Sequence, residues 1–247
     1  MEVKLYMFPG SHPCECAEAA IRLKRISYTR VNLIPAFHKL VVRAHFDGNT
    51  VPALALNGER IIGSRAILRR LDELEPDPRL IPADPDLRAR VEDAEAWGDE
   101  VLQPQVRRIA WAGLRRDTDA LLSYATGAKM PLPRPVLKLG ARPVSAMAWR
   151  YNQATDEQAL ADLRALPGRL DRIEAWMDEG VLGRESAPNV ADLQIGAAIR
   201  LLGTFEDLRP LLVGRRCLRL GEAGFTPPLG SIPAGTLPPG WVAQAGA

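Results

Sequence analysis

The proline-rich segment at residues 76–85 divides this chain into two parts with different hydrophobic patterns. Before it, short apolar runs of strand length alternate with stretches of helical periodicity. After it, no convincing strand pattern occurs, and the regular stretches have helical periodicity. This change predicts an α/β domain over 1–76, a linker over 77–86, an all-helical domain over 87–220 and a Gly/Pro-rich tail over 221–247.

The first 76 residues predict a thioredoxin-like β-α-β arrangement followed by a β-hairpin and a helix. The predicted strands cover 3–8, 28–33, 51–56 and 60–62, and Asn57-Gly58 forms the hairpin turn. A β-α-β unit gives parallel strands with a right-handed crossover, whereas a hairpin gives an antiparallel pair. We therefore expect a mixed four-stranded sheet with helices on its faces.

The second part predicts several helices and an irregular tail. Helical periodicity covers 87–116, with an interruption at Pro104, and returns over 157–178 and 190–202. Four prolines predict a loop over 131–143, and Asn189 with Asp192 predicts a capping box at the start of the last helix. The tail has 11 Gly or Pro among its residues and one charge, which favours an extended or disordered segment.

Composition limits the classes of function. The chain has 247 residues with 32 Lys and Arg against 30 Asp and Glu, which lacks the positive excess of a nucleic-acid-binding protein. No apolar run approaches the roughly 18 residues that span a bilayer, and the N-terminus lacks the features of a signal peptide. Three cysteines form a sparse, odd set, so we expect a cytoplasmic protein.

Ser11 lies at the turn between the first strand and the first helix, one residue outside the predicted helix start. A helix N-terminus presents free N–H groups and a partial positive charge. A hydroxyl there can donate to a bound thiolate and lower its pKa. The alternative is that Ser11 only caps the helix.

Cys14 is the alternative nucleophile, because a helix N-terminus can lower the pKa of a thiol. A small buried side chain facing the sheet is the other interpretation. Cys14 and Cys16 point about 200° apart on a helix, which disfavours a disulfide between them. His12 with these cysteines has no second cluster at ligand spacing, so we predict no metal site.

Two further motifs are candidates for binding. Pro52 stands at a strand entry, where a cis Val51-Pro52 bond would expose the main chain of Val51 and a trans bond would make it an ordinary strand start. Gly63-Ser64-Arg65 precedes a helix, and Ser64 is either a plain N-cap or part of a carboxylate site.

The order of these motifs resembles the cytosolic glutathione transferase family over roughly residues 1–220. Val51-Pro52-Ala53-Leu54 is similar to the family's cis-proline loop, and Gly63-Ser64-Arg65 to its glutathione-binding serine motif, which usually has Glu or Gln before the serine. Leu80-Ile81-Pro82 and Asn189-Val190-Ala191-Asp192 resemble its linker and helix-capping motifs. The position of Ser11 is most similar to the serine of theta-type members.

The resemblance implies a glutathione transferase that activates a bound thiol for attack on a hydrophobic electrophile, with glutathione as cosubstrate and no other cofactor. Ser11 would donate to the sulfur, with His12 near the peptide. Val51 would pair with the cysteinyl backbone, and Ser64 with the N–H of Arg65 would hold the γ-glutamyl carboxylate.

The resemblance also implies a homodimer and a detoxification role. Gly63 lacks the side chain with which the family usually binds the γ-glutamyl amino group. Two other functions remain open: a thiol–disulfide or deglutathionylating enzyme that uses Cys14, and a non-catalytic binding protein on the same scaffold. Trp97, Trp111 and Trp149, with Leu102, Val106 and Ile109, are candidates for the wall of the electrophile cleft.

Overall fold

The computed structural model describes residues 1–184, 188–222, 224–226 and 230–245. Its strands are β1 (Val3–Met7), β2 (Thr29–Asn32), β3 (Ala53–Leu56) and β4 (Glu59–Ile62). Its α-helices are α1 (His12–Leu23), α2 (His38–His45), α3 (Ser64–Leu74), α4 (Pro85–Trp97), α5 (Gln103–Leu114), α6 (Thr118–Ser123), α7 (Arg134–Tyr151), α8 (Asp156–Asp178), α9 (Val190–Leu202), α10 (Arg209–Leu212) and α11 (Trp241–Ala245). No helix within these described ranges is long and apolar enough to cross a membrane.

The four strands form one mixed sheet in the order β2-β1-β3-β4. β1 is parallel to β2, while β3 is antiparallel to both β1 and β4. Alternate side chains of β1 are buried in the main core with α1 and α3, whereas Tyr6 lies on the opposite face with Val42 and Phe46 beside α2. The predicted thioredoxin-like sheet is confirmed.

Helix α9 is the centre of the helical domain. All of its residues except Arg200 are buried, and it packs against α1, α4 and α5. One continuous hydrophobic core therefore includes residues of both domains. The predicted capping box is confirmed: the Asn189 side chain accepts from the backbone N–H of Asp192, whose carboxylate accepts from the N–H of Asn189.

Two boundaries in the helical domain differ from the prediction. Residues 134–143 belong to α7, not to a loop: Pro135 occupies the first turn, where its missing N–H has no helical partner, and Pro143 is accommodated inside the helix. The linker ends earlier than predicted, because α4 begins at Pro85 with Asp84 as its N-cap.

Pro104 does not interrupt the chain of helices. A π-helical segment, Gly98–Leu102, joins α4 to α5, and Pro104 lies in the first turn of α5. A π segment shifts the register of the side chains that follow it, and such segments are frequent at functional sites.

The expectation of an extended or disordered tail is wrong for its described residues. Ile232, Leu237 and Trp241 are buried, and α11 packs against α8. The Arg116 guanidinium lies 5.3 Å from the centre of the Trp241 ring. A few well-spaced apolar side chains are enough to hold this segment to the helical domain despite its glycines and prolines.

Candidate active site

A cleft of about 640 Å³ lies between the two domains. The sheet domain contributes the loop after β1, the start of α1, the segment before β3 and the start of α3. The helical domain contributes one face of α5 and the end of α7. The cleft therefore contains the sequence-predicted residues Ser11, His12, Val51, Pro52, Gly63, Ser64 and Arg65.

Ser11 is the N-cap residue of α1, but its side chain does not cap the helix. Its hydroxyl lies near the Cys14 thiol, where it opposes the rise in thiol pKa that burial causes. The turn before it needs a glycine, because Gly10 has a φ of +78° and a Cβ there would lie 2.6 Å from Cδ1 of Tyr124. The close approach of Gly10 to Tyr124 holds Ser11 at the N-terminus of α1, where it lines the cleft.

His12 follows Ser11 and is buried. Its Nε2 has no hydrogen-bond partner among the described residues. Burial, and then the positive charge of Arg107, hold the pKa of His12 well below its ordinary value. The ring is therefore neutral at pH 7, and His12 lines the cleft together with Ser11.

Cys14 does not line the cleft, and its side chain is completely buried. Burial raises the pKa of its thiol to about 12, although Ser11 and the Phe8 backbone oppose the shift. A nucleophilic cysteine needs the opposite combination of exposure and lowered pKa. The structure therefore disfavours the Cys14 hypothesis and favours its interpretation as a core residue.

The Val51-Pro52 bond is cis, as the resemblance implied. The carbonyl of Pro52 accepts a hydrogen bond of 2.9 Å from the N–H of Gly63, which joins this loop to the start of α3. The main-chain groups of Val51 form no backbone hydrogen bond with any residue the structure describes. They are available to an extended peptide in the cleft.

Ser64 is the first residue of α3, and the N-cap is Gly63 rather than Ser64. Gly63 has a φ of 91°, which favours glycine, and it has no side chain to cap the helix. Because no described side chain caps this end, the N–H groups of the first turn remain open to the cleft. The Ser64 hydroxyl instead donates to Oε1 of Gln194, at 3.0 Å.

Asp99, Gln103 and Arg107 also line the cleft, and the sequence did not predict them as site residues. They follow each other at four-residue spacing through the π segment and α5, so they share one face. Nε2 of Gln103 donates to Oδ1 of Asp99 at 2.8 Å, and the Arg107 guanidinium donates to Oε1 of Gln103. We call these three residues the polar ladder.

The polar ladder is linked to the start of α3. Nε2 of Gln194 donates to Oδ1 of Asp99 at 3.1 Å, and the same amide group accepts from Ser64. Burial raises the pKa of Asp99, while the positive charges of Arg65 and Arg107 oppose that shift. Asp99 thus places a carboxylate one amide group away from Ser64.

The apolar wall differs from the sequence-based candidates. Of these only Trp111 lines the cleft; Leu102, Val106 and Ile109 are core residues on the neighbouring face of the helix. Trp97 packs edge to face against Trp176. The side chains that do provide apolar surface in the cleft include Trp111, Ala110, Leu114 and Met147.

No group of three His, Cys, Asp or Glu side chains within the described part of the chain could hold a metal ion. The site is instead formed by main-chain N–H groups at two helix ends, one hydroxyl and the polar ladder. This combination suits an anionic or zwitterionic organic ligand.

The architecture is a thioredoxin-like domain with a cis-proline loop, joined to an all-helical domain across a cleft. Residues 5–79 match the family model for the glutathione S-transferase N-terminal domain, from β1 to the connection after α3. The match covers the sheet domain and does not extend to the helical domain. Among curated proteins, no sequence matches at a significant level.

Solved structures extend the likeness to both domains. β-Etherase LigF from Sphingobium sp. strain SYK-6 has a TM-score of 0.65 and 21% identity, covering 91% of this chain and 93% of that one. FzlA from C. crescentus has a TM-score of 0.59 and 19% identity, covering 99% of each chain. Maleylacetoacetate isomerase from Anaeromyxobacter dehalogenans 2CP-1, with glutathione in its active site, has a TM-score of 0.54 and 21% identity, covering 92% and 93%. These similarities establish the shared fold.

Proposed function

We propose that this protein is a glutathione transferase in which Ser11 activates the thiol of bound glutathione. One observation carries the proposal: the N-termini of α1 and α3 both face the cleft, and no described side chain caps either of them. The main chain of Val51, unpaired among the described residues, lines the same cleft. Helix N-termini bind anions through free N–H groups and the helix dipole. Glutathione carries a carboxylate at its γ-glutamyl end and a thiol that can ionise.

The start of α3 would bind the γ-glutamyl end. The N–H groups of Ser64 and Arg65 would donate to its carboxylate. Its ammonium group needs a negative partner, which Gly63 cannot supply. Asp99 supplies one instead, because Gln194 connects its carboxylate to the Ser64 hydroxyl through two hydrogen bonds.

The cysteinyl residue would lie along the cis-proline loop, with the main chain of Val51 pairing to its backbone, and Pro52 and His12 beside it. This placement brings the sulfur toward the start of α1. There the Ser11 hydroxyl would turn from Cys14 to donate to the thiolate. A hydrogen bond to the charged form lowers the pKa of the thiol, and the partial positive charge of the helix end adds to the effect.

In the reaction, the thiol loses its proton to solvent and the thiolate attacks an electrophilic carbon of the second substrate. A carbon–sulfur bond forms, and a leaving group departs with the bonding electron pair. The apolar side chains beside Trp111 would hold the body of this substrate. A homodimer, a cytoplasmic location and a detoxification role are further parts of the proposal and rest on the family resemblance.

The test is calorimetric titration with glutathione, combined with conjugation rates for a panel of electrophiles. We expect wild-type protein to bind and turn over, and Ser11→Ala to bind glutathione with similar affinity but conjugate at least 10-fold more slowly. Cys14→Ala is the matched control and retains the rate.

Three results would contradict the assignment. An unchanged rate in Ser11→Ala would remove the role of the serine. A glutathione mixed disulfide that requires Cys14 would favour the thiol–disulfide alternative. Glutathione binding without turnover would favour the non-catalytic alternative.

A further inference from the structure

Arg107 is a charged residue of the cleft whose link to a described carboxylate, that of Asp99, runs through the amide of Gln103. No carboxylate oxygen of any described residue forms an ion pair with its guanidinium, whereas the next residue, Arg108, binds Asp162 through two hydrogen bonds of 2.6 and 2.8 Å. Most of the side chain is covered by protein, and burial lowers the pKa of Arg107. A covered guanidinium without a direct ion pair has given up hydration that Asp99, acting through the Gln103 amide, offsets only in part.

The polar ladder fixes the direction of this side chain. Oε1 of Gln103 accepts from one end of the guanidinium, and Asp99 in turn accepts from Gln103. The other N–H groups of the guanidinium donate to no residue that the structure describes, so they are free to bind a ligand. A planar fork with fixed orientation matches the two oxygens of a carboxylate.

The surroundings of Arg107 indicate what else such a ligand contains. Ala110, Trp111 and Leu114 follow it along the cleft face of α5, and Met147 lies across from them on α7. These side chains offer apolar contact to an aromatic or aliphatic group. The amide of Gln103 separates the Asp99 carboxylate from the Arg107 guanidinium, so the two charges stand at opposite ends of the polar ladder and contact different parts of the bound molecules.

We propose that Arg107 binds a carboxylate of the electrophilic substrate, so that the second substrate is an organic acid with an apolar body. This inference rests on the proposed function, since it identifies the class of electrophile at the same cleft. Arg107 would position the acid with its reactive carbon toward the thiolate beside Ser11. His12, the residue after Ser11, is close enough to Arg107 that this charge adds to the effect of burial in lowering its pKa.

An anionic electrophile and its neutral ester, each compared between variant and wild type, test the proposal: 4-chloro-3,5-dinitrobenzoate and its methyl ester. In both, the thiolate of glutathione attacks the chlorine-bearing carbon, the carbon–sulfur bond forms, chloride leaves with the bonding pair, and the thiol proton goes to buffer. The variants are Arg107→Gln, which removes the charge, Arg107→Lys, which keeps it, and Arg142→Gln, which removes the same charge from an exposed site outside the cleft.

We expect Arg107→Gln to lower kcat/KM for the benzoate about 10- to 100-fold, which is the range for loss of a charge-assisted hydrogen bond. The same substitution should change kcat/KM for the methyl ester by less than about 3-fold. Arg107→Lys should recover part of the loss, and Arg142→Gln should match wild type. An equal loss for both electrophiles would overturn the proposal, because Arg107 would then act on the thiolate. A loss confined to glutathione affinity would also overturn it, because Arg107 would then bind a glutathione carboxylate.

A second measurement separates this proposal from the proposed function. Calorimetry without glutathione compares 3,5-dinitrobenzoate with its methyl ester on wild type and Arg107→Gln. We expect the acid to bind wild type more tightly, with the preference lost in Arg107→Gln. Equal binding of acid and ester to wild type would refute the anion site, whether or not the protein uses glutathione.

Discussion

Asp99→Asn tests whether the polar ladder replaces the side chain that Gly63 lacks. The substitution keeps the shape of the side chain, and its remaining oxygen can still accept the hydrogen bonds from Gln103 and Gln194. It removes only the negative charge. Binding of glutathione should weaken, because its ammonium group loses its partner. The N–H groups at Ser64 and Arg65 should still hold the carboxylate.

The size of the effect follows from the surroundings of Asp99. Two unit charges about 4 Å apart interact by about 4 kcal/mol at the effective dielectric constant of a protein surface. Asp99 is partly exposed, and Arg65 and Arg107 already share its charge, so we reduce this to about 1.5–2 kcal/mol. The dissociation constant should therefore rise about 10- to 30-fold.

Isothermal titration at neutral pH measures this difference, with a glutathione analogue that lacks the amino group, glutaryl-cysteinylglycine, as the matched ligand. Asp99→Asn should bind the analogue as well as wild type does. An equal loss for both ligands would refute the reasoning, because the substitution would then have perturbed the cleft rather than removed an ammonium partner.

The pH dependence gives a second check on Asp99. Its pKa is raised in the free protein, and an ammonium ligand favours the ionised carboxylate. Affinity should therefore fall as the pH decreases into the range where this carboxyl gains its proton, and should be level above that range. Asp99→Asn should remove this part of the pH dependence.

Two further predictions concern the tail and the cysteines. Trp241→Ala should lower the free energy of unfolding by about 3 kcal/mol in a urea titration, because Trp241 is buried and α11 packs against α8. The control Gln244→Ala, at an exposed position of the same helix, should change the free energy of unfolding by less than about 0.5 kcal/mol. An unchanged urea midpoint for Trp241→Ala would show that the tail does not pack. The three cysteines should resist alkylation at pH 7 in the native protein and react together after denaturation. The reason is that burial raises the pKa of the Cys14 and Cys217 thiols to about 12 and that of the Cys16 thiol well above its ordinary value. Fast labelling of Cys14 in the native protein would contradict its burial.

The sheet domain follows closely from its sequence because its signals are local. Asn57-Gly58 forms the hairpin turn, and the apolar alternation of β1 sets its two faces. In the helical domain, the capping box of Asn189 and Asp192 at the start of α9 is a local signal of the same kind. Each of these depends on a few neighbouring residues. Tertiary context reinforces them and does not override them.

The tail and α7 depend on contacts that local composition does not show. Glycine and proline raise the cost of ordering a segment, but Trp241 and Leu237 bury enough apolar surface to offset it. Pro143 would end an isolated helix, yet α7 continues through it because Val144 and Ala148 are buried on the packed face. Hydrophobic contacts distant in sequence decide both cases.

The cleft wall shows why the substrate side of a site is hard to predict. The most apolar stripe of α5, which includes Val106 and Ile109, packs in the core, while the cleft face contains the polar ladder. A four-residue spacing of Asp99, Gln103 and Arg107 is visible in the sequence, but such a pattern usually marks a solvated helix face. The packing of the two domains turns this face toward the cleft.

The measurement that tests the account most directly is the pKa of the glutathione thiol in the bound state, from the ultraviolet absorbance of its thiolate as the pH is varied. A free thiol has a pKa of about 8.5. The account predicts a value lower by about one unit or more on wild type, and recovery of about one unit in Ser11→Ala. Equal values on the two proteins, or no shift on wild type, would contradict the role of Ser11 in activating the thiol.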